Sequence, residues 1–144
     1  MTTKEHFEKN VIPYFNLKEY WDKGFKGKGI IVASVEDAYT SDDHGNNVKD
    51  TVLTYAPECK VISFNDEYPE TSATADDGKT QRFPEFVDWC IKNKVDIVTS
   101  SLDWSCNNKS EQDAIIKLYE NGIIFCNCAG NSGSEITRSE KIKK

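Results

Sequence analysis

Ile30-Ile31-Val32-Ala33-Ser34-Val35-Glu36-Asp37 decides the fold: a nearly unbroken apolar run that stops at two carboxylates. A strand with one wet face alternates apolar and polar residues, whereas a run without alternation is buried on both faces. That is how strands of a parallel sheet covered by helices read. The turn Gly24-Phe25-Lys26-Gly27-Lys28-Gly29 leads into the run. Polar residues at its carboxyl end mark the place where chemistry collects in such sheets.

The pattern recurs downstream. A helix is expected from about His44 to Tyr55, leading through Ala56-Pro57 to a strand at Lys60–Phe64. Residues from about Asn65 to Thr80 are rich in Asp, Glu, Ser and Thr and read as a loop. Pro84 suits the first turn of a helix reaching about Asn93, with Phe83, Phe86, Val87, Cys90 and Ile91 at helical spacing. Strand Asp96–Ser100, a polar loop through Asn108, a helix from Glu111 to Asn121 closed by Gly122, and strand Ile123–Cys128 follow. Upstream, about Phe15 to Lys23 reads as a short helix, with Asn16 as N-cap and Gly24 closing it. The expectation is one domain over residues 1–144. It is an α/β, three-layer α/β/α fold whose parallel sheet has about four strands in spatial order 2-1-3-4.

A chain of 144 residues buries a proper core without staples. No apolar run approaches the ~20 residues of a membrane span. Met1-Thr2-Thr3-Lys4-Glu5-His6 does not begin a secretory signal, so a cytoplasmic, membrane-free location is expected. A net charge of −6 argues against a nucleic-acid surface, which needs clustered Lys and Arg. The basic cluster Arg138–Lys144 belongs to a tail over residues 134–144 and reads as solvated.

Cysteines stand at Cys59, Cys90, Cys106, Cys126 and Cys128. Cys126-Asn127-Cys128 lacks the two-residue gap of a zinc knuckle and has no nearby His. Buried, reduced thiols are expected, with no metal and no cofactor. The acidic stretch Asp66-Glu67-Tyr68-Pro69-Glu70 has no calcium-ligand spacing. Trp21 and Trp89 sit at helical positions and should be core, whereas Trp104, in a polar loop, is the candidate contact residue.

Glu36, Asp37, His44, Ser100, Ser101 and Asn131 would meet along the carboxyl edge of such a sheet. A carboxylate there can fix the tautomer of an imidazole and stabilise its protonated form, which is the base half of a nucleophile-activating triad. An Asn amide on a Gly-rich turn can donate to an oxyanion.

In this order the motifs resemble those of the subtilisin-like serine proteases. Trp21 through Glu36 resembles the family's W-x-x-G-x-x-G-x-G stretch, which leads into a strand ending in the catalytic acid. His44-Gly45-Asn46-Asn47-Val48 resembles the H-G-T-x-V helix start that carries the catalytic His. Asp96 through Leu102 is similar to the D-V-I-N-x-S-L strand lining the substrate cleft, and Gly122 through Gly133 to the G-V-x-x-x-x-A-A-G-N-x-G segment. The resemblance spans about Tyr20 to Gly133. It implies Glu36 as acid, His44 as base, Asn131 as oxyanion donor, and Ser101, Asp103 and Trp104 as cleft residues.

The departures are as telling. The family's nucleophile lies on a G-T-S-M-A helix, and no such motif occurs here. Glu36 replaces Asp, with Asp37 next door expected to point the other way. The Glu36–His44 link leaves no room for the family's extra edge strand, and S-L-G-G reads Ser101-Leu102-Asp103-Trp104. Lys49 and Asp50 stand where the family has small residues under the nucleophile helix, so this helix face is expected to be solvent-exposed and the truncation natural. The expectation is a degenerate subtilisin-like domain, inactive alone, binding or regulating through a protein or peptide partner. One alternative is a hydrolase completed by a partner chain supplying the nucleophile. Another is a flavodoxin- or Rossmann-like ligand binder, although Glu36-Asp37-Ala38-Tyr39 offers no glycine cradle for phosphate. Strand Ile123–Cys128 should lie at the sheet edge, where unpaired main chain invites a homodimer or a covering tail.

Overall fold

The apolar run around Val32 becomes the inside of the sheet. The computed structural model describes residues 3–36, 44–63, 79–101 and 109–129. Strands β1 (Ile31–Ser34), β2 (Lys60–Ser63), β3 (Ile97–Ser100) and β4 (Ile124–Asn127) form one all-parallel sheet. Their spatial order is β2-β1-β3-β4, as the sequence implied. Helices α1 (Thr3–His6), α2 (Ile12–Tyr14) and α3 (Leu17–Asp22) precede β1, with a π-helical turn at Phe7–Val11 joining the first two. Then come α4 (His44–Tyr55), α5 (Lys79–Lys92) and α6 (Lys109–Glu120).

Strand alternation divides the core between two faces. Ala33, Val35 and Val98 join Phe83, Phe86, Val87, Trp89 and Cys90 of α5 and Ala114 and Leu118 of α6 in one buried cluster. Its rings touch in sequence, with centroids 6.1 Å apart for Phe83–Phe86, 6.0 Å for Phe86–Trp89 and 5.8 Å for Phe83–Phe125. Helix α4 packs against β1 and β2, and its one fully buried residue is Gly45. On that face Ile97 and Thr99 of β3 are half-buried, and Ile124 and Cys126 of β4 are exposed. Among the described residues no helix is long and apolar enough to cross a membrane.

Two backbone devices hold β1 in place. Asp96 Oδ2 accepts the Ile31 N–H at 2.8 Å, while the Asp96 N–H donates to the Ile31 carbonyl at 2.9 Å. Below the strand, Gly27 stands at φ 87, and a Cβ there would lie 2.9 Å from Cys59 Cβ and 3.1 Å from Ala56 Cβ. That close approach brings the Lys26 carbonyl within 2.8 Å of the Glu58 N–H.

Several expectations are corrected. Helix α5 begins at Lys79, so Pro84 sits inside it rather than in its first turn. The helix tolerates a missing main-chain donor there because Phe83, Phe86 and Val87 bury their side chains beside it. The chain is already helical before Phe15, and Asn16 is a left-handed joint (φ 57) whose side chain caps no main-chain group; its Nδ2 donates to Glu19 Oε2 at 2.8 Å. Trp21 is half-buried, its Nε1–H donating to the Tyr55 carbonyl at 3.0 Å. Cys59 and Cys90 are buried, but Cys126 is exposed and Cys128 half-buried, since among the described residues no helix lies over the face of β4 that carries them. Asp50 is exposed and Lys49 half-buried.

Both Gly24 and Gly27 have positive φ, yet only Gly27 has neighbours where a Cβ would go. Gly24→Ala should therefore cost about 1 kcal/mol, and Gly27→Ala roughly 2–4 kcal/mol, in urea denaturation. Equal costs would show that the contact with Cys59 yields freely. Burial also pushes the Cys90 thiol far above its ordinary pKa. Iodoacetamide should modify Cys126 in the native protein and Cys90 only after unfolding, as read by peptide mass spectrometry.

Candidate functional site

Beyond Ser34 the chain stays tied to β3. The Val35 N–H donates to the Thr99 carbonyl, and Ser100 Oγ donates to the Val35 carbonyl, each at 3.1 Å. These bonds place Glu36 beside Ser101. The Glu36 side chain is 0% exposed. Its Oε1 accepts the Ser101 N–H at 2.7 Å, and its Oε2 lies 3.3 Å from His44 Nε2.

A carboxylate withdrawn from water is strongly destabilising unless charge-assisted bonds replace its hydration. The short bond from Ser101 supplies one such partner. His44, the first residue of α4, supplies an opposite charge whenever its ring is protonated. Small side chains let the two elements approach. Ser34 and Ser63 are buried on the sheet, and Gly45, next to His44, is buried in the helix. The imidazole is 58% exposed, so it presents its far side to solvent while Glu36 holds the near one.

The orientation of that ring matters chemically. In a nucleophile-activating triad the carboxylate holds Nδ1–H and Nε2 takes the proton of the hydroxyl. Here Nε2 faces the carboxylate. The nitrogen suited to serve a nucleophile is the one turned toward the acid.

Sequence reasoning missed one member of this edge. Cys128 Sγ donates to the Ser101 carbonyl at 3.3 Å, and its N–H bonds the Ser100 carbonyl at 3.1 Å. Glu36, Ser101 and Cys128 thus link the ends of β1, β3 and β4. The available signal was register: Cys128 follows Cys126 by one strand period and falls on the same face. Ser101 contributes its main chain, the N–H to Glu36 and the carbonyl to Cys128. Asn131, Asp103, Trp104 and Asp37 lie outside the described residues, as do Cys106, Ser105, Ser132 and the acidic stretch 66–70. The structure therefore brings together Glu36, His44 and Ser101. Among the described residues no three His, Cys, Asp or Glu side chains gather as a metal site.

Comparison with known proteins finds distant similarity to proteases. The chain is 26% identical to Minor extracellular protease Epr of Bacillus subtilis (strain 168) over 163 aligned positions, covering 92% of this chain and 24% of that protein. It is 22% identical to the Major intracellular serine protease of the same organism over 184 positions, covering 99% of this chain and 56% of that protein. No family model matches the chain. The similarity supports a distant relation to subtilisin-like serine proteases. The chain spans about a quarter of one relative and little more than half of the other.

The bond from Ser101 gives Glu36 a measurable structural role. Glu36→Leu should cost about 1–3 kcal/mol in chemical denaturation, because it strands a main-chain donor. Glu36→Gln should recover part of that loss, since its amide oxygen can still accept from Ser101. A Glu36→Leu protein as stable as the wild type would show that the bond contributes nothing net.

Proposed function

We propose that this chain is a subtilisin-like domain that presents the acid–base half of a protease site without turning substrate over on its own. It acts instead as a binding or regulatory module for a peptide or protein segment. The observation that carries this reading is the Glu36–His44 pair, a fully buried carboxylate 3.3 Å from an exposed imidazole at the mouth of the sheet. Two further facts support it. The 144 residues include no glycine-threonine-serine segment to bear the family's nucleophile. Also, the ring nitrogen that would take the hydroxyl proton is turned to the carboxylate.

A second reading has a specific observation behind it. Both relatives are longer than this chain, and on the sheet face beside α4 Ile124 and Cys126 of β4 are exposed. A partner segment seated on that face can supply the missing hydroxyl, making the chain one half of a serine hydrolase.

A fluorophosphonate probe separates the two. The isolated chain should take up no more label than a heat-denatured sample and should leave casein intact. Robust labelling abolished by a single Ser→Ala change would overturn the first reading. Labelling that appears only after adding a host fraction, and vanishes in His44→Ala, would favour the second.

A further inference from the structure

We propose that Ser100 is the positioning residue of the Glu36–His44 pair: its hydroxyl stands in for a main-chain donor at the Val35 carbonyl and so releases the Ser101 N–H to Glu36. This role rests on the reading of that pair as the working site, but it is measured through the geometry of the pair rather than through labelling or cleavage.

A parallel ladder dictates what should happen at the end of β1. A residue that sends its N–H to a carbonyl of the neighbouring strand takes back, at its own carbonyl, the N–H two residues further along that strand. The Val35 N–H bonds the Thr99 carbonyl at 3.1 Å, so the regular donor to the Val35 carbonyl is the Ser101 N–H. The structure departs from that pattern here. Ser100 Oγ donates to the Val35 carbonyl at 3.1 Å, and the Ser101 N–H goes instead to Glu36 Oε1 at 2.7 Å.

Strand β4 fixes the peptide between the two serines. The Ser100 carbonyl lies in one plane with the Ser101 N–H, and it accepts the Cys128 N–H at 3.1 Å. With its carbonyl turned to β4, that plane aims its N–H at β1, where the Val35 carbonyl and the Glu36 carboxylate compete for it. The carboxylate offers the stronger bond, because a charged acceptor strengthens a hydrogen bond. Choosing it would ordinarily strand the carbonyl of Val35, a fully buried residue, and a buried carbonyl without a donor is destabilising. The hydroxyl of Ser100, itself 4% exposed, removes that cost.

The effect reaches the imidazole. Pinned by Ser101 at Oε1, the carboxylate keeps Oε2 toward His44 Nε2 at 3.3 Å. In the D-V-I-N-x-S-L pattern Ser100 falls at x, so the resemblance gives it no role.

Solution NMR on the intact chain reads the diversion directly. With Ser100 present, Glu36→Gln should move the Ser101 amide proton upfield, because a charged acceptor becomes a neutral one. In Ser100→Ala that proton should already sit upfield and ignore Glu36→Gln, and the His44 Nε2 signal should shift. Ser100→Thr keeps the hydroxyl and should keep both wild-type signals. Stability gives a second measure. Glu36→Leu leaves the Ser101 N–H without an acceptor, and Ser100→Ala leaves two acceptors for one donor. In the double variant the Ser101 N–H and the Val35 carbonyl pair with each other. Its unfolding constant should therefore lie about tenfold below the product of the single effects. Additive costs would overturn the proposal. So would an amide still sensitive to Glu36→Gln without Ser100, or a Ser100→Thr protein that behaves like Ser100→Ala. None of these results bears on fluorophosphonate labelling or casein cleavage, so the two readings fail separately.

Discussion

The Glu36 carboxylate, fully withdrawn from water at the end of the central strand, is the constraint on which the site depends. Its charge is tolerable only where partners stand ready. Those partners dictate the surroundings: the end of β3 must bring the Ser101 amide alongside, and α4 must begin with His44 facing it. The acid–base pair is therefore also a structural joint between β1, β3 and α4. Losing the Glu36 side chain would therefore disturb the packing of the sheet end as well as any chemistry.

The two faces of the sheet are unequally dressed. Helices α5 and α6 cover one with phenylalanine, tryptophan, valine and leucine. On the other, α4 contributes a glycine as its one fully buried residue and leaves Ile124 and Cys126 of β4 open to solvent. That imbalance leaves the apolar burial of the described residues concentrated on the side of α5 and α6.

The strand order was legible because Ile30–Val35 and Ile123–Cys128 are runs too apolar for a wet sheet, and the helix between Phe83 and Ile91 repeats at 3.6 residues. Placement of Glu36 against His44 was legible through the order of motifs. What stayed hidden depended on atoms far apart in the chain. The donor to Glu36 is the Ser101 main chain, which every residue except proline carries and no side-chain pattern reveals. The helical start before Phe15 was obscured by Asn16, which looks like a cap and serves as a left-handed joint. Pro84 marks a helix start in most contexts, and here burial of its neighbours outweighs its missing donor.

Asp96 holds Ile31 through both its side chain and its amide, although the two are 65 positions apart in the chain. During synthesis, at ~5–20 residues per second, the central strand leaves the ribosome roughly 3–13 s before its main neighbour is made. Over that interval its greasy segment has only β2 to pair with, and no local hairpin is possible in an all-parallel arrangement. The nascent polypeptide therefore passes through a stage in which its most insoluble stretch is half-clothed. A holdase acting early on Ile30–Val35 would bear directly on the yield of native protein in the cell.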